Sequence, residues 1–82
     1  MKRILWTDRA RSDIRSFDKI TAMRIFATLD RFARTGEGDV KALQGRDELR
    51  LRIGDYRLFF VITALDIIKI QRVLHRSQAY RQ

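Results

Sequence analysis

Residues 49–60, LRLRIGDYRLFF, alternate charged and apolar side chains on either side of Gly54-Asp55. Two alternating runs joined by a two-residue loop containing glycine predict a β-hairpin, because a positive-φ turn residue matches the right-handed twist of paired strands. With Gly54 and Asp55 at the centre of the turn, counting outward pairs Ile53 with Tyr56, Leu51 with Leu58 and Arg52 with Arg57. Side chains alternate across a strand, so Arg50, opposite Phe59, shares the face of Arg52 and Arg57. Like charges directly opposite one another destabilise a sheet by roughly 0.2–1 kcal/mol. The strands offer no carboxylate on that face; Asp55 lies in the turn and Glu48 just before the strand. A solvated basic face and an anion-binding face both fit this pattern, and an anionic ligand would relieve the repulsion.

The remaining composition narrows the choice. A chain of 82 residues predicts one domain, 1–82, since two separate cores of that total size would each be marginal. Hydrophobic residues make up 45% and charged residues 34%, enough apolar matter for a core. There is no cysteine and a single histidine, so neither a disulfide framework nor a zinc site is expected, and no cofactor is called for. No apolar run approaches the ~20 residues of a membrane helix, and the N-terminus lacks a signal-peptide core, so a soluble, cytoplasmic protein is expected. The net charge is +8, and residues 49–82 hold seven basic against two acidic side chains. Such an excess predicts a polyanionic partner.

Residues 2–6, KRILW, read as a strand, followed by a helix that Thr7 or Asp8 caps and that sets Ala10, Ile14 and Phe17 on one face. A break over 18–20 leads to a second helix, about 21–35, with Ala22, Ile25, Phe26, Leu29, Phe32 and Ala33 at helical spacing and Gly36 as its C-terminal cap. Residues 36–48 hold three of the four glycines and read as a loop, with Val40 and Leu43 tucked inward. Strands at 49–53, 56–63 and 67–74 are joined too closely for crossover helices, so they form an antiparallel meander. The expected fold is α+β, in the order β-α-α-β-β-β: a helical hairpin on a small twisted, mainly antiparallel sheet that the first strand joins. In the last strand Lys69, Gln71, Val73 and His75 share a parity, and simple register sets His75 beside Arg57. Ile68, Ile70 and Val73 break that period, as does Arg72 among apolar neighbours, which predicts a bulge and leaves open whether His75 or Arg76 faces the arginines.

The early ILWTDRARSDI, the ALQG before the second strand, the GDYR hairpin and the terminal H-R-x-x-x-Y within IIKIQRVLHRSQAY together resemble the RelE/ParE superfamily of bacterial toxins over the whole chain. The resemblance is closer to the RelE branch. It implies a type II toxin: RelE members are endoribonucleases that enter the ribosomal A site and cut messenger RNA, each restrained by a cognate antitoxin, whereas ParE members act on DNA gyrase. It also implies that Arg50, Arg52, Arg57, Arg76 and Tyr80 fill the site. In the type member, lysines occupy the places of Arg50 and Arg52, and a lysine there is assigned proton transfer. A guanidinium stays protonated and clamps phosphate without acting as a base, so another group must move protons.

The corresponding expectation is that Arg52 and Arg57 clamp the scissile phosphate while Arg50 and Arg76 hold its neighbours. His75, with a reference pKa of ~6.5, is the natural proton shuttle. Tyr80 orients, protonates or stacks on a base. A structural histidine and a core-closing Tyr80 fit the residues equally. The helical arginines read first as solvated faces. A gyrase inhibitor of the same fold and a non-enzymatic nucleic-acid-binding module remain alternatives to the ribonuclease.

Overall fold

Thr7 performs three tasks at the first chain reversal. It ends β1 (Arg3–Trp6), accepts a hydrogen bond from the Ala10 N–H at 3.3 Å as N-cap of α1 (Asp8–Arg15), and donates its hydroxyl to the Ile70 carbonyl at 2.7 Å. The computed structural model in which this is seen describes residues 1–79, so Tyr80 lies outside the described residues. Asp18 caps α2 (Lys19–Thr35) by accepting the Thr21 N–H at 3.1 Å and its hydroxyl at 2.6 Å. The helix therefore begins two residues before the expected 21, the aspartate being the cap itself. Gly36, at φ 78°, takes the left-handed conformation that ends it.

Those two Thr21 hydrogen bonds hold the exposed Asp18 carboxyl below its ordinary value of 3.8. A depressed folded-state pKa contributes stability that is present above the unfolded value and lost as pH falls through the folded one. Asp18→Ala is accordingly expected to lower the melting temperature at pH 7 and to flatten its dependence on pH below about 4, checked by thermal melts across that window.

Four further strands follow: β2 (Asp39–Ala42), β3 (Leu49–Ile53), β4 (Tyr56–Ile62) and β5 (Ile67–His75), with a single helical turn, α3 (Arg76–Ala79), after them. The sheet order is β1-β5-β4-β3-β2, with β1 parallel to β5 and every other pair antiparallel. The α+β class and the mainly antiparallel sheet stand as expected. Two elements differ. The segment expected to be loop contributes β2, whose Val40 pairs with Leu51 and adds an edge to the sheet. The chain after β5 turns into α3.

The hairpin register is the expected one: Ile53 pairs with Tyr56, Leu51 with Leu58, Arg52 with Arg57 and Arg50 with Phe59. Within the turn only Gly54 has positive φ, 57°, which places glycine first in a type II′ turn. The helices cover one sheet face, where Ile25, Leu29 and Ala33 of α2 meet Leu51, Leu58, Phe60, Ile70 and Val73. In β5 the pairing shifts between Phe59 and Phe60, so that Phe60 faces Ile70 and Phe59 faces Arg72, with Gln71 between them. This is the expected bulge, and it reverses the parity of the strand's last third.

Candidate functional site

On the sheet face opposite the helices, the register sets side chains in rows. Asp39, Arg52, Arg57 and Leu74 form one; Lys41, Arg50, Phe59 and Arg72 form the next; Val61 and Lys69 lead the third, with Glu48 preceding Leu49 on the same parity. Six cations thus share a face with two carboxylates. Sequence reasoning identified Arg50, Arg52 and Arg57 there. It did not place Lys41 or Asp39, because it read β2 as loop, and it did not place Arg72, although that residue's polarity among apolar neighbours was the signal for the bulge.

Arg57 is the unusual member. Only 6% of it is exposed, and its guanidinium donates to the carbonyls of Gly54 at 2.8 Å and Tyr56 at 3.0 Å. Among the described residues its buried Nε has no hydrogen-bond partner and no carboxylate pairs with it. A charge held this way is costly unless an anion completes it. Arg52 across the strand pair is exposed, and Arg50 is half-buried.

Arg72 is held from the side. Its Nε donates to Asp13 Oδ2 at 2.8 Å and its Nη2 to Oδ1 at 3.1 Å, a bidentate pair between β5 and α1. The same carboxylate accepts the Val73 N–H at 2.9 Å. The Asp13 hydrogen bonds raise the Arg72 guanidinium further above its ordinary range, fixing its charge. Beside it, Phe59, Leu74 and Ala79 are buried together with Leu43 packed against them. They floor a concavity of about 490 Å³ whose walls include Arg46, Arg50, Arg72 and Glu48.

His75 does not stand beside Arg57. The bulge pairs it with Tyr56, on the helix-covered side, while Leu74 takes the place opposite Arg57. Its ring meets Tyr56 edge-on, at 5.3 Å between centroids and 88° between planes. Nδ1 accepts the Ser77 N–H at 3.2 Å and lies 2.9 Å from the Ser77 hydroxyl, so the imidazole caps α3. Arg76 is exposed at the hairpin turn, where its N–H donates to the Asp55 carbonyl at 2.7 Å and its Nε lies 3.7 Å from Asp55 Oδ1. The face therefore gathers Arg50, Arg52 and Arg57, adds Arg72, sets Arg76 at its margin and leaves His75 behind it. Trp6, half-buried, packs against Phe26 at 5.4 Å and belongs to the core.

A family model for the ParE toxin of the type II toxin-antitoxin system parDE matches residues 4–80. No curated protein matches the sequence significantly. Among solved structures, the RelB-RelE antitoxin-toxin complex of Methanococcus jannaschii is similar at 23% identity and a TM-score of 0.77, over 94% of this chain and 95% of that one. The archaeal RelE-RelB complex of Pyrococcus horikoshii OT3 is similar at 25% identity and a TM-score of 0.77, over 94% and 97%. The isolated RelE toxin of E. coli is similar at 12% identity and a TM-score of 0.72, over 99% and 97%. The chain belongs to the ParE toxin family of type II toxin-antitoxin systems, and its fold is that of the RelE toxins.

Proposed function

We propose that this toxin is a ribosome-dependent endoribonuclease that cuts messenger RNA by attack of a 2′-hydroxyl on the adjacent phosphate, and that a cognate antitoxin restrains it. The observation that carries this reading is the arginine face, above all the buried Arg57 guanidinium with no carboxylate partner among the described residues, opposite Arg52. Guanidinium groups set before the reaction at the place where phosphorane charge develops lower the barrier without reorganising. Arg52 and Arg57 hold the scissile phosphate, and Arg50 and Arg76 its neighbours. Tyr80 keeps its expected role of orienting or protonating. DNA, lacking the 2′-hydroxyl, is spared. The similar RelE chains of M. jannaschii and P. horikoshii, each in complex with RelB, support an antitoxin partner.

Expression of the chain alone is expected to arrest growth, and primer extension on messenger RNA from a translation reaction is expected to reveal new ends at ribosome-occupied codons. Absence of such ends with folded protein overturns the reading.

The family-model match and the position of His75 behind the arginine face favour a second reading, a gyrase-binding inhibitor. It requires that supercoiling by gyrase stop while messenger RNA stays intact.

A further inference from the structure

The proposed cleavage lacks a proton acceptor. Arginines stay protonated, and His75 faces away with Nδ1 committed to the Ser77 N–H. Two carboxylates remain on the face. Asp39 is exposed on the edge strand. Glu48 is recessed, its side chain 19% exposed, and it lines both the concavity beside Arg50 and Phe59 and an adjoining one beside Lys69.

We infer that Glu48 is the general base of the reaction, taking the proton of the attacking 2′-hydroxyl; this rests on the ribonuclease reading. Its surroundings suit the task. Among the described residues its nearest ion-pair partner, Arg46 Nη1, stands at 3.6 Å, and no tight bond occupies the carboxylate oxygens. The charged groups facing it are Arg46 from the loop, Arg50 from β3, Lys69 and Arg72 from β5 and Arg9 from α1, while β4 contributes none. The same cations bring an RNA backbone to it.

The 2′-hydroxyl gives its proton to the Glu48 carboxylate as the O2′–P bond forms, and the P–O5′ bond breaks. The leaving 5′-oxygen takes a proton from water, and Glu48 returns its own to solvent. The products are a 2′,3′-cyclic phosphate and a 5′-hydroxyl. Arg52 and Arg57 hold the scissile phosphate through this step, while Arg50 and Arg72, which line the concavity with Glu48, add to the positive field around it.

The test is single-turnover cleavage of a defined messenger RNA on programmed ribosomes by the full chain and by Glu48→Gln, Glu48→Asp and Asp39→Asn. Glu48→Gln is expected to slow cleavage by about 10²–10⁴-fold, the usual contribution of a positioned base, with co-sedimentation on ribosomes unchanged. The rise of log rate with pH on the acid side is expected to disappear in Glu48→Gln and to persist in Glu48→Asp, which keeps a carboxylate should the glutamine variant fold poorly. Asp39→Asn is expected to cleave as the parent does. Cleavage by folded Glu48→Gln within about tenfold of the parent, with the acid limb intact, overturns the assignment and leaves the nuclease reading standing. A parent chain that does not cut removes both.

Discussion

Arg57→Met is expected to slow messenger RNA cleavage by about 10²–10³-fold, the effect of losing one donor from a site that stabilises developing charge. The same substitution is expected to leave the melting temperature unchanged or raised. These opposite outcomes follow from how the guanidinium is held. It is almost fully buried, its Nε has no partner among the described residues, and two turn carbonyls are its hydrogen-bond acceptors. Replacing a poorly compensated buried charge by an apolar side chain of similar length is commonly neutral or stabilising by about 1–4 kcal/mol. In a domain of this size each kcal/mol moves the melting temperature by roughly 4–8 °C. Thermal melts alongside single-turnover cleavage check both halves. A variant that melts well below the parent would mean that Arg57 is structural; one that cuts normally would remove it from the phosphate clamp.

Asp13→Ala is expected to act through the fold. β1 ends at Trp6, so among the described residues β5 beyond Ile70 has no strand on that side, and α1 supplies the Asp13 carboxylate to the Val73 N–H instead. The same carboxylate holds Arg72 in two hydrogen bonds, with the pair only 22% and 14% exposed. Removing it leaves a guanidinium and a backbone donor unpaired in a partly dry place, a loss of about 2–4 kcal/mol. Chemical denaturation measures this directly. The double variant Asp13→Ala with Arg72→Met is expected to lose less than the two single losses together, because the stranded charge is gone.

What could be read from the sequence tracks how locally each feature is determined. The β3–β4 pairing was legible to the residue because Gly54-Asp55 fixes both the turn and the count outward from it. The helices were legible from their period, and α2 begins early only because Asp18 serves as its cap. β2 was not legible: DVKA carries one inward apolar side chain, Val40, and becomes a strand only by pairing with β3. The bulge was visible as a broken period, but its position depends on Asp13 and Thr7 meeting β5 from a segment about 60 residues away. Hence the arginine cluster lies where the count placed it, whereas simple register set His75 on the wrong side of the sheet, a facing the broken period left open, and Arg72 was left out of it. Tyr80, the remaining residue of the expected site, falls beyond the residues described.

The order β1-β5-β4-β3-β2 also bears on how the chain is made. Among the described residues the first strand, β1, pairs with the last, β5, at a separation of 64 residues between Lys2 and Asp66, which their ion pair bridges. Until Ile67–His75 emerges, β1 has no strand to pair with, although its Trp6 can already meet Phe26 of α2, and β4 lacks one side of its ladder. The arginine face, which draws Arg72 from β5, is therefore completed only once that strand has been made and has joined β4.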